Sequence, residues 1–159
     1  MNAPIQRFEQ SRIQRRACAA NQFVIRQVLE VTNRIDTDCL KPVASTQAGV
    51  ALQPLPLLGL VTYHYAVGIL PSREIERELW INAAFREVCG LEFPRWQAIR
   101  RFRRLNRAVI HECLAETLRQ ASPAAVHSRV SVLGQTDFSG EAETRIENAA
   151  LLDSQEDET

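Results

Sequence analysis

The chain has 159 residues, 45% of them hydrophobic and 24% charged, which suits one globular domain, is tight for two, and excludes a disordered or fibrous class. Six Gly and seven Pro are too few for a loop-rich all-β design. The formal net charge of zero announces no polyanionic or membrane partner, yet residues 1–136 hold 18 basic and 11 acidic side chains, while 137–159 hold 1 and 8.

Residues 1–20 read as a basic extension carrying Arg7, Arg12, Arg15 and Arg16, with no apolar run of signal-peptide length behind them. Phe23, Val24, Val28, Leu29 and Val31 recur at helical spacing and predict a helix over 21–34. Residues 36–56, with Pro42, Gly49, Pro54 and Pro56, read as a connection. An apolar helix over 57–67 follows, with Pro56 suited to its first turn and Gly68 to its exit. Its longest extent, Leu57–Leu70, spans about 21 Å, short of a hydrocarbon core of about 30 Å. It also holds Thr62, His64 and Gly68, so a buried core helix is expected and no membrane partner.

Ser72, with acids in the turn after it, reads as the N-cap of a helix running to Leu79 or Trp80. A second segment over 81–89 places Ile81, Ala84, Phe85 and Val88 on one face and stops at Gly90. A long helix is predicted from Arg95 or Trp96 to Gln120, with a possible bend. Val126–Leu133 alternates weakly, and Glu141–Leu152 has the makings of a short helix, but the low apolar content of 123–159 predicts a mostly disordered acidic tail. The expectation is therefore an all-α fold: a small multi-helix bundle over 21–122, flanked by the 1–20 extension and the 123–159 tail.

The most informative stretch is 93–107, which carries six arginines, and no acid lies between Glu92 and Glu112. On a helix, Trp96, Ile99, Phe102, Leu105 and Val109 fall in one half, and Arg100, Arg101, Arg104 and Arg107 lie within an arc of about 120° on the other. Arg103 sits at the border. Arginines so crowded repel unless an anion lies across them. Glu74, Glu76 and Glu78 are one source of neutralising charge, and a nucleic-acid backbone is the other. All 19 basic residues but Lys41 are Arg, whose forked donors suit phosphate and base edges, although GC-rich coding yields the same bias. Two helices and a turn followed by a cationic helix is the layout of a helix-turn-helix DNA reader, and of many three-helix bundles besides.

Cys18, Cys39, Cys89 and Cys113 form no Cys-x-x-Cys pair and read as scattered thiols in a reducing cytoplasm. His111-Glu112-Cys113 begins like a zinc-protease helix, but Ala115 stands where the second His belongs. Cys89, His111 and Cys113 lack paired metal-ligand spacing, His64 reads as a satisfied core histidine, and Trp80 and Trp96 read as core side chains. No phosphate-cradling Gly loop is present in the sequence, and neither metal nor cofactor is expected.

The stretch from Leu57 through Tyr63-His64-Tyr65-Ala66-Val67-Gly68 to Ser72-Arg73-Glu74-Ile75-Glu76-Arg77, then Asn82-Ala83-Ala84-Phe85-Arg86, then Pro94, Ile99, Arg101, Phe102 and Arg103, resembles the N-terminal domain of InsH-type insertion-sequence transposases. The resemblance covers about 23–118 and is strongest over 57–107. It implies an all-helical domain that holds double-stranded DNA at transposon ends; the matched Arg73, Arg77, Arg101 and Arg103, together with Arg100, Arg104 and Arg107 of the arginine strip, are the candidate contacts. Transposition and DNA recombination are then its context, with a second copy of the chain or a full-length transposase as protein partners. The chain departs from the family pattern at Arg95, where an N-capping Asp is common, and at Ala98, where Thr or Ser is common. The family's RNase-H-like domain, whose three carboxylates hold catalytic metals, does not fit in the 36 residues after Pro123, so no catalysis is expected. On this reading the chain is a truncated or stand-alone end-binding domain. A module that pairs with and regulates a full-length transposase, or a decayed reading frame, is the alternative. The tail, in turn, reads first as a solvated appendage and second as a tethered anion able to lie across Arg100–Arg107.

Overall fold

The computed structural model describes residues 21–44, 51–82, 90, 93–122 and 137–157. Helix accounts for 77% of these residues and the sheet among them has two strands, so the all-α expectation holds. The elements are α1 (21–32), β1 (Val43–Ala44), β2 (Ala51–Leu52), α2 (Pro54–Ala66), α3 (Ser72–Ile81), α4 (Trp96–Leu105), α5 (Arg107–Ala121) and α6 (Phe138–Asp157).

α2 is the centre of the molecule. Every side chain from Leu57 to Tyr65 is buried, so this helix has no polar face and must be surrounded by the others. Pro54 opens it, where a missing N–H costs nothing. Its exit is a Schellman turn: Gly68 has φ +87°, its N–H bonds the Tyr65 carbonyl at 3.2 Å, and the Ile69 N–H bonds the His64 carbonyl at 2.8 Å. His64 is fully buried and its Nδ1 lies 2.8 Å from the Leu60 carbonyl. Burial holds its pKa down at about 4, so the ring is neutral, as a core histidine should be.

The remaining helices turn one stripe inward. α1 contributes Val28 and Val31, α3 Ile75 and Leu79, α4 Ala98, Ile99 and Phe102, and α5 Ile110, Cys113 and Leu114. The connection ends at Gln53, since α2 begins three residues before the expected start at 57; it contains a 3-10 turn at Thr37–Cys39 and the antiparallel pair β1–β2, in which Val43 faces Leu52 and both are buried. No helix among the described residues is long and apolar enough to cross a membrane. Of the expected segment over 81–89, residues 83–89 lie outside the described residues, as does the weak alternation at 126–133, while Ile81, expected on its apolar face, instead ends α3 and is exposed.

Two expectations need correction. Ser72 is the first helical residue of α3 and Pro71 occupies the cap position, where it has no side chain able to accept a bond. More importantly, the acidic segment is no disordered tail over 138–157: it forms α6, which lies along α5 and reaches α3. Ala142, Ile146, Ala149 and Asp153, at spacings of four, three and four, are all buried. Two of these four are alanines, which let the helices approach closely while adding little to the apolar content that a sequence reading weighs. The domain therefore runs on through Asp157.

Candidate nucleic-acid interface

The cationic helix α4 starts without a cap of its own, because Arg95 at the cap position makes no side-chain cap bond. Glu76 of α3 does this work instead. Its carboxylate accepts the Trp96 N–H and an Arg95 N–H, each at 3.0 Å, and so satisfies one orphan donor and places negative charge at the positive end of the helix dipole. The expected bend comes at Asn106, with φ −120° and ψ 24°. The Asn106 amide donates to the carbonyls of Phe102 at 3.1 Å and Lys41 at 3.0 Å and accepts the Lys41 N–H at 2.7 Å, which ties the break to the strand β1 approach.

The arginines of this helix divide into two sets, and the division was not expected. Arg100 and Arg103, read as solvent-facing and border positions, are each only 4% exposed. Arg103 donates to Asp153 at 2.6 Å and to the Tyr65 hydroxyl at 3.2 Å. Asp153, itself 2% exposed, also accepts the Ser72 N–H at 2.8 Å and the Ser72 hydroxyl at 2.7 Å. It thus supplies from α6 the capping carboxylate that Pro71 cannot give α3. Burial pushes the Tyr65 phenol above its ordinary pKa, so it meets Arg103 as a neutral acceptor.

Arg100 binds both oxygens of Asp157 through Nη1, at 2.7 and 2.6 Å, and lies 3.6 Å from Glu156 and 3.4 Å from Asp153. Arg73 of α3 joins the same group, 3.5 Å from Glu156 and 4.0 Å from Asp157. Both guanidinium groups lie over the Trp96 ring, Arg100 at 4.3 Å and Arg73 at 4.7 Å from its centre. A hydrogen bond from Arg100, with the charges of Arg100, Arg73 and Arg104 added, lowers the Asp157 pKa. At the other end of the ladder Arg107 pairs with Glu143 and, at 3.8 Å, with Glu147. The neutralising acids therefore come from α6, not from Glu74 and Glu78.

The second set comprises Arg77 on α3 and Arg101 and Arg104 on α4. All three are exposed, and none has an ion-pair partner among the described residues. Arg101 and Arg104 stand one turn apart, with exposed Gln97 on the same face.

Other expected features separate. Trp80 is 61% exposed and stacks on Phe93, ring centres 5.1 Å apart, and it is not a core residue. His111 Nε2 lies 3.0 Å from the Ser139 carbonyl, while Cys113 is buried, with its thiol pushed up to about 12 by burial. Cys89 lies outside the described residues, and no group of metal-ligating side chains forms among those described. Two residues with structural roles at the site, Asp153 and Arg145, stand out nowhere in the sequence, whereas Glu76, expected as a neutralising acid, pairs with Arg95 and also caps α4. Arg145 donates to the carbonyls of Tyr65 and Ala66, both at 2.7 Å, and closes the C-terminus of α2. The register of Ala142, Ile146, Ala149 and Asp153 is the signal that would have found Asp153 and Arg145. Comparison of the chain with protein-family models, with curated proteins and with solved structures returned no match.

Proposed function

We propose that the chain is a DNA-binding helical module akin to the N-terminal domain of insertion-sequence transposases, and that it acts by binding and not by catalysis. Arg101 and Arg104 carry the reading. They are neighbouring, exposed like charges with no ion-pair partner among the described residues, although the other two arginines of α4, Arg100 and Arg103, are given carboxylates by α6. Such a pair is destabilising by itself, and an external polyanion relieves it. Arg77 extends the set on α3. In a helix-turn-helix mode of docking, the outer face of α4 with Gln97, Arg101 and Arg104 meets the duplex. Arg103, fixed beneath α6, leaves the set of phosphate contacts. Asp153, Asp157, Glu143 and Glu147 are committed to arginines, which favours a structural use of these acids over a catalytic one.

Binding to a 20-base-pair duplex, followed by fluorescence anisotropy, tests the proposal. Each phosphate contact adds about 0.9 to the slope of log affinity against log salt, so Arg104→Ala and Arg101→Ala each lower that slope by about one while leaving the helical signal intact. Unchanged slopes remove α4 from the interface.

A second reading rests on a different surface. Trp80, Ile81 and Phe93 expose apolar area at the end of α3, with Ile81 70% exposed. This favours a protein partner, a second copy or a transposase. Loss of self-association in Ile81→Asp, measured by sedimentation, would support it.

A further inference from the structure

We propose that Arg73 and Arg100, with Trp96 beneath them, form a second phosphate-diester site, and that the last turn of α6 occupies it in the free chain. This rests on the DNA-binding reading and adds to it a site whose access the protein itself controls.

The argument begins with a mismatch. Glu156 and Asp157 lie in the last turn of α6, and that turn has no basic residue. Acids there face the negative end of the helix dipole and the turn's own unpaired carbonyls, so the helix alone disfavours them. What holds them is Arg100 and Arg73. The contacts have the form a phosphate would take: Arg100 spans two oxygens of one anion at 2.6 and 2.7 Å, and Arg73 approaches the same anion from the neighbouring helix. A carboxylate offers two oxygens in one plane and a single charge. A phosphodiester offers the same count of free oxygens and charge, borne on a chain that continues to Arg101 and Arg104 next door. Arg100 is also incompletely satisfied by its present partners, since its buried Nε and Nη2 make no hydrogen bond.

The geometry also limits what moves. Ala142, Ile146 and Ala149 have no exposed surface and Asp153 is locked to Ser72 and Arg103, so α6 as a whole does not leave. Beyond Asp153, residues 154–157 place no side chain in the buried core. These four residues, which carry the two anions Glu156 and Asp157, lie beyond the buried stripe at the end of the helix, where local opening is cheapest. A phosphate arriving on Arg101 and Arg104 competes for Arg100 and Arg73 against the carboxylates of Glu156 and Asp157.

Two measurements on the full chain test this. In the unaltered protein, saturation with a 20-base-pair duplex should speed amide hydrogen exchange several-fold at 154–157 and leave 142–153 unmoved. Slower or unchanged exchange at 154–157 overturns the proposal. In Glu156→Gln/Asp157→Gln, checked for native helicity, the salt slope of duplex binding should steepen, and Arg73→Gln should then remove about 0.9 from it. In the wild type, Arg73→Gln should change the slope far less, because each phosphate gained there is a carboxylate released. An equal effect of Arg73→Gln in both backgrounds overturns the site. Salt-dependent binding set by Arg101 and Arg104, with exchange at 154–157 unmoved, leaves the DNA reading standing and defeats this inference alone. No binding in any form defeats both.

Discussion

Replacing Asp153 by Ala should be the most damaging single polar change in the molecule. The carboxylate is 2% exposed and accepts from the Ser72 N–H, the Ser72 hydroxyl and Arg103, with Arg100 Nε 3.4 Å away. Its removal leaves a buried guanidinium facing only the Tyr65 hydroxyl and uncaps α3. Breaking a buried pair by deleting one partner costs about 3–5 kcal/mol. A domain of this size is stable by about 5–15 kcal/mol, so the loss is a large share of the whole. With a urea m-value of about 2 kcal/mol/M, the midpoint should fall by about 2 M, read by ellipticity at 222 nm. Asp153→Asn keeps an acceptor for Ser72 and should cost less. Arg103→Met combined with Asp153→Leu removes both buried charges and should also cost less than Asp153→Ala alone. A midpoint for Asp153→Ala within about 0.5 M of the wild type would refute this account of the network.

Two further outcomes follow from the core. Ile146→Ala should destabilise the chain by about 2–5 kcal/mol, the cost of a cavity in a packed interior; a neutral result would mean that α6 is not part of that interior. His64, with a folded pKa of about 4 against 6.5, takes up its proton more readily in the unfolded chain. Its contribution is complete above pH 6.5 and is lost as pH falls toward 4, up to about 3 kcal/mol in all. His64→Gln should flatten that part of the stability–pH curve, and identical curves for both proteins would show that His64 does not carry it.

Legibility in the sequence followed the strength of each local signal. The helix α2 and its Gly68 exit were readable because apolar density and a helix-ending glycine each act within a few residues, whereas a bend in the long helix was expected without its position at Asn106. The placement of Arg101 and Arg104 at the surface was readable from periodicity on α4. Arg100 was misplaced because its position depends on Asp157, 57 residues away, and on Trp96 turning its ring beneath the guanidinium. α6 was legible only as a short helix over Glu141–Leu152; its packing was not, because composition weighs side-chain size, whereas two of its buried positions are alanines and a third is an aspartate whose burial makes sense only with Ser72 and Arg103 opposite. Caps borrowed from distant elements, Glu76 for α4 and Asp153 for α3, leave no trace beside the helices they serve.

The bond from Arg145 to the end of α2 and the bonds from Asp153 to Ser72 join residues some 80 positions apart. Loop closure on that scale delays such contacts until local helices have formed. During synthesis the earlier helices must wait, with an apolar seam and unmatched guanidinium groups open, until the segment through Asp157 has been made. Translation interrupted near residue 122 would yield a product lacking the seal on α2, the cap on α3 and the counter-charges of Arg100 and Arg103, a ready substrate for proteases. The closing helix thus supplies, last in order of synthesis, the contacts that complete the end of α2, the start of α3 and the charge of Arg103.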